Sequence, residues 1–140
     1  MLEQAMFRIL YLSTANQPFS SGDLSELLQK ARARNDAAHV TGMLVHSDGD
    51  FLQVLEGDPE DVIGIYDRIS VDPRHRDVSL LQRSLGFGDR LFPNWTMGFK
   101  RVPDQTLIDE VVGVNSRVKL RYLNAISALD FLLACSRSQA

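Results

Sequence analysis

The spacing of apolar residues changes along the first hundred positions, and each change predicts a new element. Residues 7–13 alternate as a strand does, so Tyr11 faces one side of a sheet and Leu10 faces the other. In 20–35 the apolar residues recur every three or four positions, which indicates an amphipathic helix. Serine and aspartate at its start are N-cap residues, and we expect the helix to end near Asn35.

The next stretch predicts a β-hairpin. Apolar strands at 39–46 and 50–56 flank the sequence SDGD, and Asp-Gly is a strong hairpin signal. The second of these strands carries Gln53 between apolar neighbours, on the same face as Phe51 and Leu55. A buried amide needs hydrogen-bond partners, because each unpaired group costs about 1–3 kcal/mol.

Five further elements complete the pattern. Acidic residues and a proline begin a second helix in 58–73. Strand patterns follow at 77–87 and from about Trp95, and helical patterns at 104–112 and 117–134. An apolar stripe is predicted on the last helix by Val118, Tyr122, Ile126, Leu129, Leu132 and Leu133.

This order predicts an α+β fold of the ferredoxin-like β-α-β-β-α-β type with an additional strand. Right-handed crossovers place both main helices on one face of the sheet. We expect the first and third strands to be central and parallel, and two C-terminal helices to pack on the open face. Residues 1–102 would form the functional domain. Residues 103–140 would form a helical extension that is not an independent domain.

Composition narrows the function classes. The net charge is −3 and the pI about 5.5, which argues against a nucleic-acid binder. The chain has no run of about 20 apolar residues, so we expect no membrane contact. Its single cysteine, Cys135, favours a reducing, cytoplasmic location, and the N-terminus lacks the pattern of a secretion signal. The three histidines lie far apart, which argues against a metal site.

Three polar residues point to a binding site. Tyr11, Gln53 and Asn35 fall on the helix-covered side of the predicted sheet, where they would line a cleft for a planar heteroaromatic ligand. Each alone has a structural explanation: a core hydrogen bond, a solvent-facing strand position, or a helix cap. The loop 72–77, DPRHRD, is either a solvated turn or an anion contact such as a cofactor phosphate.

The chain resembles the BLUF domain, a blue-light sensor that uses FAD. The resemblance covers about residues 6–102 and rests on five motifs in order: ILYLS, ARARNDAAHVTGML, GDFLQVLEG, IYDRISVDPRH and FPNWTMGF. It implies that Tyr11 is the photochemical electron donor and that Gln53 lies between this tyrosine and the flavin. It also implies that Asn35 pairs with the flavin ring.

The remaining motif residues carry further implied roles. Arg68 and Asp72 match residues that hydrogen-bond the other polar side of the ring or its ribityl chain, and Arg74 and His75 match the pair that follows. Trp95 and Met97 match a last-strand pair tied to signalling. Two positions depart from the family pattern, Ala31 and Arg34, where many members have a hydroxyl residue and an asparagine or histidine.

The resemblance implies a photoreceptor rather than an enzyme. Light would drive electron and proton transfer from Tyr11 through Gln53. The rearranged hydrogen bonds would then bias the last strand and the C-terminal helices, which would contact a downstream protein or a second copy of the chain. Two alternatives remain at this point: a light-insensitive flavin- or nucleotide-binding module, and a small hydrolase on the same fold.

Overall fold

The computed structural model describes residues 5–47, 49–94, 96–101 and 120–137. The predicted order of elements is confirmed over these residues. The strands and helices are β1 (Ala5–Ala15), α1 (Ser21–Ala37), β2 (Thr41–Ser47), β3 (Asp50–Gly57), α2 (Pro59–Ser70), β4 (His75–Phe87), β5 (Gly98–Arg101), a 3-10 turn (Leu120–Tyr122) and α3 (Ala125–Arg137).

The five strands form one sheet in the order β4-β1-β3-β2-β5. The first four have the ferredoxin-like arrangement, and β5 adds a short parallel edge beside β2. The prediction that β1 and β3 are central is confirmed, but the prediction that they are parallel is wrong, since they pair antiparallel. The α1 crossover makes β2 run in the same direction as β1, and the tight hairpin then reverses β3.

Local sequence explains where the two main helices begin. Ser20 caps α1 in a capping box with Asp23, each side chain bonding the other residue's backbone N–H. Pro59 lies in the first turn of α2, where its missing N–H costs nothing. Helix α1 runs two residues past the predicted end, to Ala37. Asn35 therefore lies in its last turn and is not a left-handed cap.

The two faces of the sheet bury separate cores. Tyr11, Phe51 and Leu55 face α1 and α2, as the alternation predicts. Leu10 and Leu52 face the other way and pack against α3. The predicted cover of the open face is thus confirmed for 120–137, while the predicted helix 104–112 lies outside the described residues.

The predicted stripe on the last helix is only partly right. Tyr122 and Ile126 are 71% and 77% exposed. The described helix does not begin until Ala125, because Asn124 and Ser127 form a cap with bonds of 2.9 and 3.1 Å between each side chain and the other's backbone N–H. The face that packs against the sheet carries Ala128, Phe131, Leu132 and Cys135.

Candidate functional site

Tyr11 and Gln53 lie directly opposite each other on the two central strands. Their Cα atoms are partners in the register of β1 and β3, and the residues are 2% and 5% exposed. The Tyr11 ring meets the Tyr66 ring of α2 edge to face, with centroids 5.2 Å apart. Burial raises the pKa of Tyr11, while the charge of Arg34 acts in the opposite direction. The phenol is therefore protonated at neutral pH.

The Gln53 amide makes one weak hydrogen bond to the part of the chain that the structure describes. Its Nε2 donates to Sδ of Met97 at 3.4 Å, and thioether sulfur is a weak acceptor. Among the described residues, neither the Gln53 carbonyl oxygen nor the Tyr11 hydroxyl has a hydrogen-bond partner. Two polar groups at this depth therefore remain for a ligand to satisfy.

Both side chains face a cleft between α1 and α2. Its walls combine aliphatic and aromatic surface with a few polar groups, which is the usual make-up of a small-molecule site. The cleft is lined by Tyr11, Ser13, Leu27, Lys30, Ala31, Arg34, Leu44, Phe51, Gln53, Ile69, Asp72, Arg74 and His75.

The loop after α2 contributes an ion pair to the lining of this cleft. Arg74 donates to both carboxylate oxygens of Asp72, with Nη2 to Oδ2 at 2.6 Å, and its backbone N–H also donates to Asp72 at 2.9 Å. These bonds hold the pKa of Asp72 below its usual range and raise that of Arg74. The two residues thus neutralise each other in a set geometry.

His75 joins the cleft to an aromatic cluster beneath it. Its Nδ1 lies 3.3 Å from Oγ of Ser13, and its ring meets the Phe51 ring edge to face at 5.0 Å. Phe51 in turn stacks on the His46 ring, with centroids 4.3 Å apart. Burial lowers the pKa of His75, so the neutral imidazole predominates at neutral pH.

Four predicted site residues lie elsewhere or cannot be placed. Asn35 is buried near the cleft but does not line it; its Nδ2 donates to the Thr96 carbonyl at 2.7 Å. Met97 sits behind Gln53 and is 1% exposed. Arg68 is exposed on α2 and outside the lining, although its charge acts on Arg34. Trp95 lies outside the described residues.

The arrangement fits a flavin ring by its chemistry. A flavin is flat and carries donors and acceptors along one edge, and the cleft offers apolar walls beside a phenol and an amide that lack strong partners. Asp72 and Arg74 add further polar groups to the same lining. The residues present therefore suit a planar heteroaromatic ligand of this class.

Comparison with known proteins decides the family. The family model for sensors of blue-light using FAD, BLUF, matches residues 6–98. The chain belongs to the BLUF family. Photoactivated adenylate cyclase subunit beta of Euglena gracilis is 39% identical to this BLUF chain over 90 residues, which are 64% of the chain and 10% of the cyclase subunit. The chain thus spans about a tenth of the length of this relative.

Solved structures agree with this assignment. The ground state of BlsA superposes with a TM-score of 0.80 at 25% identity, over 91% of this BLUF chain and 87% of the other. A bacterial light-regulated adenylyl cyclase superposes with a TM-score of 0.67 at 27% identity, over 95% of this chain and 35% of that one. Among the described residues, none of the helices has the length and apolar character needed to cross a membrane.

Three buried or half-buried charged residues were not predicted from the sequence: one lines the cleft, and the other two lie outside its lining. Arg34 was noted only as a departure from the family pattern, yet its side chain lines the cleft. Glu56 and Asp50, at the two ends of β3, are fully buried carboxylates. The available signal was a polar residue in an otherwise apolar strand, the same signal that singled out Gln53.

Proposed function

We propose that this BLUF chain senses blue light through a flavin, FAD, held in the cleft between α1 and α2. The observation that carries the proposal is the buried pair of Tyr11 and Gln53, opposite each other on β1 and β3 and both open to that cleft. Asp72, Arg74 and His75 complete its polar lining. Asn35 and Arg68 are proposed to reach the flavin after side-chain adjustment.

When bound, the flavin supplies absorption of blue light and an electron acceptor. Tyr11 gives up an electron and its phenolic proton. Gln53 is placed to carry that proton, because it is the Cα partner of Tyr11. The two residues are only 2% and 5% exposed, which favours passage of the proton between these two side chains over its release to solvent.

After the proton transfer, Gln53 is left with a different set of hydrogen bonds. A primary amide offers two donors and a carbonyl acceptor, so rotation or tautomerisation gives it a second bonding arrangement. Its contact with the Met97 sulfur is weak enough to exchange. Because the Met97 carbonyl accepts from Nε of Arg32 at 2.9 Å, a shift of Met97 also reaches α1.

The signal is proposed to leave through the C-terminal cap, the segment 120–137 that consists of the 3-10 turn and α3. Residues 1–102 form the sensor in this proposal, and 103–140 the extension that contacts a downstream protein or a second copy of the chain. The cap packs on the opposite face of the strands that carry Tyr11 and Gln53. A small change in either strand therefore has a short route to it.

The test is absorption spectroscopy of the purified full chain in the dark and after blue light. We expect a yellow protein whose flavin band shifts reversibly to the red by several nanometres. Gln53→Leu and Tyr11→Phe should bind flavin but lose the shift, and Gln29→Leu, at an exposed position of α1, should keep it. A colourless protein would favour the hydrolase alternative, and a yellow, unresponsive one the light-insensitive flavin binder.

A further inference from the structure

Two side chains of α1 hold the segment that leads into β5. Nε of Arg32 donates to the Met97 carbonyl at 2.9 Å, and Nδ2 of Asn35 donates to the Thr96 carbonyl at 2.7 Å. The two donors are three positions apart on the helix, so they project from the same side of it. Helix α1 therefore binds two successive carbonyl groups of the segment before β5.

These bonds depend on the shape of the backbone at Thr96 and Met97. In an extended strand, successive residues point to opposite sides, so one neighbour does not meet two carbonyls in a row. The chain bends at both residues, and β5 begins only at Gly98, which pairs with Met43 of β2. The position of Met97 is thus set by α1 as well as by the sheet.

A fixed Met97 backbone also fixes the Met97 sulfur. The residue is 1% exposed, and its Sδ accepts from Nε2 of Gln53 at 3.4 Å. Sulfur is a weak acceptor, and a methionine side chain has three rotatable bonds, so this contact cannot hold Met97 in place by itself. The bond from Arg32 to the carbonyl of the same residue restricts where the sulfur can go.

We propose that Arg32 is a positioning residue for the light response, which keeps the Met97 sulfur within reach of the Gln53 amide. The inference rests on the proposed function, in which Gln53 changes its hydrogen bonds and later returns. Return to the dark arrangement needs the sulfur in place as acceptor, so its rate should follow the fraction of time that the sulfur is there. Arg32 does not line the cleft and acts only through Met97.

The first test is the rate at which the red-shifted flavin band of the full chain returns in the dark after blue light. Arg32→Ala should slow this return about threefold to tenfold, as loss of one hydrogen bond allows, and should leave the size of the shift unchanged. Arg32→Lys should restore part of the rate, because an ammonium group also donates to a carbonyl. Arg76→Ala, at an exposed arginine outside the cleft lining, should behave as wild type.

A second substitution separates positioning of the sulfur from a general loosening of the fold. Met97→Leu removes the sulfur, so Arg32→Ala in that background should slow the return no further. A loosened fold would slow it by the same factor in both backgrounds. That result, or an unchanged or faster return in Arg32→Ala alone, overturns the proposal.

A measurement in the dark tests the position of Met97 without a photocycle. In NMR spectra of the full chain with ¹³C-labelled methionine methyl groups, the Met97 signal is the one that Met97→Leu lacks. It should shift or broaden in Arg32→Ala and stay in place in Arg76→Ala. An unmoved signal overturns the role of Arg32. A wild type without any light-induced shift would overturn the proposed function instead, and the methionine signal would still decide whether Arg32 positions Met97.

Discussion

The strand that carries Gln53 buries one carboxylate at each end, and the two are held in different ways. Glu56 accepts from Nε and Nη2 of Arg8 at 2.9 and 2.8 Å and from the backbone N–H groups of Leu91 and Phe92 at 3.0 and 2.7 Å. Asp50 accepts from Oγ1 of Thr14 at 3.1 Å and from Nε and Nη2 of Arg121 at 2.9 and 3.2 Å.

The difference lies in what each carboxylate fastens. Glu56 ties the segment after β4 to the centre of the sheet, and its cation comes from the adjacent strand with a side chain only 14% exposed. Asp50 ties the C-terminal cap to the sheet through a side chain that is 44% exposed. Water can replace Arg121 more readily than it can replace Arg8. We therefore expect the contacts of Glu56 to act as an anchor that persists in the folded protein, and those of Asp50 to open more readily.

Removal of Glu56 is expected to have the largest effect. Glu56→Ala leaves the Arg8 charge and two backbone N–H groups without their acceptor, which should lower the free energy of unfolding by about 3–5 kcal/mol. Urea unfolding followed by circular dichroism measures this. Glu60→Ala, at an exposed position of α2, should cost less than about 1 kcal/mol. Similar losses in the two variants would show that Glu56 is not an anchor.

Replacing Arg8 or Arg121 with alanine, one at a time, compares the stability that the two ends of β3 contribute. Arg8→Ala leaves a carboxylate that water cannot easily reach, so we expect a loss of about 3 kcal/mol. Arg121→Ala opens Asp50 to solvent, and about 1–2 kcal/mol should be lost. Both changes remove one arginine, which makes each the control for the other. A larger loss for Arg121→Ala would reverse the proposed order of the two ends.

Neither ion pair could be predicted from the sequence, and the reason is distance along the chain. Arg8 and Glu56 are 48 positions apart, and Arg121 and Asp50 are 71 apart. Pairing at such separations depends on the strand order and on how the cap docks. The period-two alternation, by contrast, is local, so it correctly placed Tyr11 and Gln53 on one face of the sheet and Leu10 on the other.

The errors in the predicted fold have equally specific causes. The direction of β3 follows from one crossover and one hairpin: the crossover keeps β2 in the direction of β1, and the hairpin reverses β3, so the predicted parallel pair is antiparallel. The prediction that Tyr122 and Ile126 are buried assumes one continuous helical period across Asn124. The helix is interrupted there, because Asn124 caps the start of α3. In the site, Asn35 was predicted at the cleft from its place at the end of the first helix; its amide donates to the Thr96 carbonyl, and its contact with a flavin stays a prediction.

Local unfolding of α3, measured separately from that of the sheet, tests the same difference between the Asp50 and Glu56 ends of β3. In Arg121→Ala we expect the amides of α3 to exchange with solvent about tenfold faster, since a loss near 1.4 kcal/mol in that unit alone raises its open population by that factor. The amides of β1 and β3 should keep their protection. Hydrogen exchange followed by NMR resolves the two groups. Equal acceleration in sheet and cap would mean that the cap unfolds only together with the sheet.

The smallest expected effect is a response to mild acid at the Asp50 end. Here Nδ1 of His46 lies 3.0 Å from the Asp50 carbonyl oxygen, and the His75 ring packs on Phe51, the residue after Asp50. The contacts of Glu56 with described side chains, by contrast, involve an arginine and no histidine. Burial holds the pKa of His75 below the unfolded value of about 6.5, although Asp72 opposes this and Arg74 and His46 add to it. The unfolded chain therefore binds this proton more readily than the folded one.

Stability from His75 should accordingly be complete above about pH 6.5 and decline as the pH falls toward its folded value. Between pH 7.5 and 5.5, wild type should lose more unfolding free energy than His75→Gln, by less than about 1.4 kcal/mol for each pH unit. Urea unfolding at several pH values measures the difference, and His39→Asn, at an exposed histidine in the left-handed region, serves as the control. Parallel pH profiles for wild type and His75→Gln would show that His75 does not make the Asp50 end sensitive to acid. The expectation that the Asp50 end opens more readily than the Glu56 end would then rest on the exposure of Arg121 alone.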